Sequence, residues 1–224
     1  MSQQAAPEPS SALDARIRAA IGAAPRPPAA RLGTRLSIGI GVAVLATLAV
    51  AAKMRPDAPQ IPASAFFATV GASLLLAIAA VGVSALPGRR GLGAPVTLLV
   101  GAACAVPVLY ALITALWPMH ASGLALPEPA LADAMRGAVP CVLSSIGVAG
   151  LAFLGLAWAL RRAVPVAAAL RGAALGAAAG AWSGLAMHLH CPHFDRAHVL
   201  IGHVAPIVLF AILGAVVGPR MVRT

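Results

Sequence analysis

Five potential ligands for a soft metal ion crowd into one short stretch of this chain: His188, His190, Cys191, His193 and His198, with His203 just beyond. Thiolate and imidazole both suit zinc, copper and related ions. His188 and Cys191, spaced i and i+3, can share one face of a helix, and His198 is placed to fold back across the intervening loop. A second thiol, Cys141, lies upstream beside Pro140. Two cysteines facing an oxidising compartment suit a disulfide or a redox pair. Neighbouring histidines can make a thiol reactive toward oxidants or metals. Function at Cys141 and Cys191 is the favoured reading, with a purely structural disulfide as the plainer one. His203 and His120 are more isolated, and His120, beside Trp117, reads as an interfacial residue. Cys104 sits among Ala, Gly and Val and reads as a small buried hydrophobe.

The elements that must position these residues are membrane helices. The chain is 60% hydrophobic and only 10% charged, with a mean hydropathy of +0.92, where a soluble domain carries roughly 25% charged residues. Six stretches approach the roughly 20 apolar residues needed to cross a bilayer as a helix: 36–52, 64–86, 94–117, 141–160, 167–188 and 197–217. The expectation is an all-α integral membrane protein of six spans, divided into an N-terminal segment 1–35, a transmembrane domain 36–217 and a tail 218–224.

Charge gives the orientation. Arg16, Arg18, Arg26, Arg31, Arg35, Arg89, Arg90, Arg161, Arg162, Arg171, Arg220 and Arg223 all fall on one side of such a membrane. Against Glu8 and Asp14 they account for the whole formal net charge of +10. By the positive-inside bias that side is cytoplasmic, so both termini lie inside. On the other side Lys53, Arg55, Arg136 and Arg196 are matched by Asp57, Glu128, Asp133 and Asp195. All six histidines, Cys141 and Cys191 fall on this neutral outer face. A pI near 11.6 therefore reflects anchoring and attraction to anionic lipid rather than a nucleic-acid partner. The first 35 residues contain no apolar signal core, which predicts that the first span is its own uncleaved signal.

The N-terminal segment is the one piece large enough to bind a cytoplasmic protein. Leu13, Ile17 and Ile21 recur at i, i+4 and i+8 and form an apolar stripe on a short helix flanked by Asp14, Arg16 and Arg18. Ser10 or Ser11 is available as its cap. Pro25, Arg26, Pro27 and Pro28 then make an extended linker. So short a helix would order on a partner or lie on the lipid surface.

Within the membrane, Gly172, Gly176, Gly180 and Gly184 repeat every four residues, a spacing that permits close helix approach. It serves a homodimer as readily as internal packing. Pro107 and Pro206 predict kinks in the third and sixth spans. No Asp, Glu or Lys lies deep in any span, whereas a transport pathway usually carries ionisable groups. Paired carboxylates and nucleotide-binding glycine motifs are also missing, which argues against an enzyme.

Several residues together resemble the NrsF-type anti-sigma factors, a family of six-helix inner-membrane proteins. They are Cys141 opening the fourth span, the basic turn Arg161, Arg162, Ala163, Val164, Pro165, the Gly- and Ala-rich fifth span, His190 with Cys191, His203 near Pro206, and Gly214, Gly218, Arg220 and Arg223 at the tail. The sequence departs from the family at Arg16 and Arg18, where acidic residues are usual, and at Gly202, where an aromatic residue is usual. The resemblance implies a multi-pass protein of the bacterial inner membrane that restrains a sigma factor of the extracytoplasmic-function class. It implies contact through the N-terminal segment, with Leu13, Arg16, Ile17 and Ile21 as its candidate residues. It also implies sensing of oxidative or heavy-metal stress by Cys141 and Cys191. The additional His188, His193 and His198 favour metal sensing; no cofactor is required, and a bound or sensed heavy-metal ion is the one candidate. The alternative reading is a small metal-handling transporter, or a metal-binding membrane protein facing the periplasm.

Overall fold

The computed structural model describes residues 15, 16, 19, 29–53, 55–85, 94–116, 131–161, 167–193 and 195–221. The described residues are helical, with no strand among them. The elements are α1 (Ala29–Ala51), a 3-10 turn (Ala58–Gln60), α2 (Ala63–Ala85), α3 (Val96–Leu116), α4 (Leu131–Leu160) and α5 (Ala168–His190). A final rod is formed by α6 (Arg196–Val199), a π-helical turn (Leu200–Val204) and α7 (Ala205–Met221).

Five helical stretches are long and apolar enough to cross a membrane: Leu32–Ala51, Ala63–Ala85, Val96–Leu116, Ala132–Leu160 and Arg196–Arg220. Their outer faces carry large exposed apolar side chains, among them Leu45, Phe67, Leu75, Leu154 and Ile212. Such a belt is what a helix bundle presents to lipid rather than to water. The remaining helix of the six expected, α5, is not among the five. It is 23 residues long and carries Arg171, His188 and His190. The physical reason lies in its position: α5 packs against α7, α2, α4, α3 and α1, and every residue from Gly172 to His188 is buried. A helix sheathed by protein has no need to be lipophilic on any face.

Small residues make that central position possible. A Cβ added to Gly172 would lie 2.0 Å from the Gly214 carbonyl oxygen, and one added to Gly176 would lie 1.8 Å from that of Phe210. The backbones of α5 and α7 therefore touch. Gly180 meets Ile207 and Gly184 meets the Tyr110 ring in the same way. The expected glycine row thus serves packing within the chain. Within the chain it is covered by α7 and α3. A second close approach joins α1 to α4, where a Cβ on Gly39 would lie 2.8 Å from the Gly155 oxygen.

Three local expectations need correction. The fourth helix starts at Leu131, ahead of the expected 141, and runs through Pro140, so Cys141 lies well inside it. Cys104 is exposed rather than buried, because α3 turns that face away from the bundle. The first helix starts at Ala29, ahead of the expected 36.

Candidate thiol and imidazole site

The sulfurs of Cys141 and Cys191 lie 3.3 Å apart, with both thiols free and buried. The Cys191 Sγ is also 3.2 Å from His198 Nε2. With His203 they form a group of four buried ligands, whose donor atoms all lie within 4.8 Å of one another. Three segments supply them: α4, the exit of α5, and the start of the final rod.

Each segment has a local reason to hold its ligand there. The Cys191 N–H donates to the Met187 carbonyl at 2.8 Å and closes α5. Four residues later Asp195 caps the next helix, accepting from the His198 N–H at 2.8 Å. That bond fixes where His198 begins its turn. His198 and His203 are five residues apart, which in an α-helix at about 100° per residue would set them about 140° apart. The π-helical turn between them has i to i+5 periodicity and brings His203 round to the same side, with the two rings 5.4 Å apart and perpendicular. Pro206 contributes by lacking the N–H that an α-helix would aim at the Gly202 carbonyl. Ser145 of α4 donates its hydroxyl to that carbonyl at 3.1 Å, pinning the turn against the helix that carries Cys141. Gly202 has no side chain to intervene: a Cβ there would sit 3.3 Å from the Cys141 Cβ and 3.5 Å from His198 Nε2.

A loop lies over the same end of the bundle. The Arg55 N–H donates to the Leu189 carbonyl at 3.2 Å, and its guanidinium reaches the Pro192 carbonyl at 3.5 Å. The same guanidinium, fully buried, holds Asp57 in a two-pronged ion pair at 2.5 and 2.6 Å. That pair keeps the Asp57 carboxyl below its ordinary pKa, chiefly by the hydrogen bond from Arg55. The Cys191 thiol is pushed up, first by its contact with Cys141 and then by burial. Two thiols this close hold on to a proton between them.

A family model described as negative regulator of sigma F (NrsF) matches residues 19–223, nearly the whole chain. The chain belongs to the NrsF family. It is thus a member of a family of negative regulators of a sigma factor. Neither a comparison with curated proteins nor one with solved structures found a match.

In this NrsF-family protein Cys141, Cys191, His198 and His203 come together, and the other candidate ligands do not join them. His188 is buried on α5 about one turn before Cys191 and outside the group of four, its ring 5.0 Å from that of Tyr110, whose hydroxyl donates to the Gly184 carbonyl at 2.9 Å. His190 donates from Nδ1 to the Lys53 carbonyl at 2.6 Å and so anchors the overlying loop. His193 is exposed, with its ring 5.2 Å from that of His198. Of Leu13, Arg16, Ile17 and Ile21, only Arg16 is among the described residues, helical and exposed; the other three lie outside them.

Sequence reasoning underrated His203 and overlooked Arg55. The i, i+5 spacing from His198, with Gly202 between and Pro206 following, was the available signal for the first. Arg55 looked like one half of a balanced surface pair. Its burial depends on a loop packing that no local pattern encodes.

Proposed function

We propose that this protein is a six-span anti-sigma factor of the bacterial inner membrane, with both termini in the cytoplasm. It holds a sigma factor of the extracytoplasmic-function class through residues 1–35. It releases that factor when oxidants or soft metal ions react with Cys141 and Cys191 on the periplasmic face. The observation that carries this reading is the gathering of both thiols and two imidazoles, buried, at one end of the bundle.

The opposite end supports the orientation. There Arg35 and Arg161 approach the Trp158 ring to 6.0 and 5.4 Å, an arrangement suited to a cytoplasmic membrane interface with its bias toward Arg and aromatic residues. α5 supplies the sixth crossing, since it runs between the same two ends as its neighbours.

Signal transfer needs an element whose two arrangements the outer site can bias. α1 is suited to the task. Its outer end continues into the Arg55 loop, which is hydrogen-bonded to Leu189 and Pro192 on either side of Cys191. Its inner end continues in sequence into the N-terminal segment. A change at Cys191 thus reaches α1 through two bonds and the cytoplasm through one helix, while the close packing of α5 on α7 keeps the rest of the bundle in place.

Affinity purification of the detergent-solubilised protein, with and without residues 1–35, tests the partner. Recovery of a sigma factor only with the intact N-terminus is the expected result. Replacement of both Cys141 and Cys191 by Ser is expected to leave restraint intact and abolish the response to oxidant or cadmium in cells. A normal response in that double variant would sink the sensing half of the proposal. Metal uptake into vesicles, with no protein partner, would favour a metal-handling transporter instead.

A further inference from the structure

The arrangement of Cys141, Cys191, His198 and His203 goes beyond a thiol pair that happens to have histidines nearby. We infer that these four residues form a closed, four-coordinate seat for one soft divalent ion of the zinc and cadmium class, and that ion occupancy and a Cys141–Cys191 disulfide are mutually exclusive. This inference rests on the sensing reading of the same site and deepens it.

Tetrahedral zinc, with bonds of about 2.3 Å to sulfur and about 2.0–2.1 Å to imidazole nitrogen, sets its donor atoms about 3.3–3.8 Å apart. Here the two sulfurs are 3.3 Å apart, Cys191 Sγ and His198 Nε2 are 3.2 Å apart, and the whole set lies within 4.8 Å. Movements of a few tenths of an ångström at the sulfurs would admit an ion. The donor set is two thiols and two imidazoles with no carboxylate, which selects a soft or borderline tetrahedral ion over magnesium or calcium.

All four ligands are buried, as in a structural site that leaves no coordination position open for substrate. The supports around them resemble a shell built to hold imidazoles in place: the Asp195 cap fixes the His198 backbone, and Ser145 fixes the turn that presents His203. Such supports commonly matter to metal affinity. His193, exposed and stacked near His198, lies on the solvent side of the seat and outside the set of four.

Exclusivity follows from electron counting. Each sulfur offers the ion an electron pair as thiolate. Hydrogen peroxide, a two-electron oxidant, takes two electrons from the pair of thiolates and with two protons becomes two waters. One S–S bond forms, both S–metal bonds break, and the divalent ion leaves with its charge unchanged. Without an ion the two thiols give the same disulfide and release their two protons. The site would therefore have three states: ion-bound, dithiol and disulfide.

The test uses the full-length protein, purified in detergent under reducing conditions and stripped by a chelator. Cadmium is titrated while the sulfur-to-cadmium charge-transfer absorbance is followed. One ion per chain is expected. His198→Asn and His203→Gln should each weaken binding by about tenfold or more, while Cys104→Ser and His193→Ala should keep the wild-type stoichiometry. Circular dichroism identifies any variant that fails to fold, and the Asn and Gln side chains keep polarity in the buried positions. Peroxide should release the bound cadmium in step with loss of both thiols, and saturating cadmium should slow that loss.

Binding by His198→Asn and His203→Gln as tight as wild type would overturn the four-ligand seat. So would retention of cadmium after disulfide formation. The two readings can fail separately. If cadmium does not bind while the Cys-to-Ser double variant still loses its peroxide response in cells, the seat is wrong and the sensing reading stands. If cadmium binds as described but no sigma factor is ever recovered, the seat stands and the regulatory reading fails.

Discussion

The two ends of the α5 helix are held by opposite kinds of interaction. Toward the inner end, Gly172 and Gly176 bring the backbones of α5 and α7 into direct contact, with Gly214 and Phe210 opposite them. There the fit is set by the absence of side chains. At the outer end, Cys191 and its neighbours are held by hydrogen bonds that Arg55, His190 and Ser145 donate and Asp195 accepts, and the reactive groups are buried beneath them. A backbone contact of this type has no slack, because a close-packed interior does not deform continuously. A hydrogen-bonded cap can change partners. The contrast assigns rigidity to the inner interface and responsiveness to the outer one.

The sharpest way to break this contrast is at the rigid end. Gly176→Ala would place a methyl 1.8 Å from the Phe210 oxygen, which neither backbone can vacate. A loss of about 3 kcal/mol or more is expected, seen as a lowered unfolding midpoint in detergent. Gly41→Ala and Gly71→Ala, which meet nothing within 4 Å, should stay within about 0.5 kcal/mol of wild type. Equal costs at all three positions would remove the special status of the α5–α7 contact.

Asp57→Asn probes the cap. It removes the carboxylate that pairs with the buried Arg55 guanidinium, at a cost of up to about 3 kcal/mol. The pH dependence has a definite sign. Arg55 lowers the Asp57 pKa below its ordinary value of 3.8. The ion pair therefore contributes fully above that value and is lost as the pH falls through the lower, folded-state value. Unfolding curves of wild type and Asp57→Asn should converge in that acid range and separate above it. If α1 carries the signal, the same variant should also blunt the cellular response to oxidant while leaving Cys141 and Cys191 able to form a disulfide.

Ser145→Ala removes the donor to the Gly202 carbonyl and is expected to cost about 1–3 kcal/mol. Its more telling effect is a looser π-helical turn, read as weaker cadmium binding through His203. The smallest effect belongs to Cys104→Ser. That thiol is exposed and far in sequence from the outer cluster, so stability should change by no more than about 0.5 kcal/mol and the thiol response should persist. A lost response would move the sensing chemistry away from the outer end.

Much of this was legible in the residues themselves. Hydrophobic run length marked the helices to within a few residues, except where α1 starts at Ala29 and where α4 extends past Pro140 to Leu131. Spacing alone marked Gly172, Gly176, Gly180 and Gly184 as a contact row, because small residues four apart make one smooth helix face whatever lies against it. The density of His and Cys between 188 and 198 located the chemistry, since such donors seldom crowd together in an apolar chain.

Other features were decided only by the tertiary structure. Which histidines stand beside the thiols depends on a π-helical turn that rotates His203 into place, while α5 sets His188 against Tyr110. That turn is a response to Pro206, Gly202 and the Ser145 hydroxyl from another helix. Arg55 is buried only because its loop folds across the end of α5, a contact between residues 137 apart in sequence. Local pattern records what a residue can do within its own helix. Burial, ligand selection and the covering of the glycine row by α7 depend on which segments meet, and those encounters are set by packing the whole bundle at once.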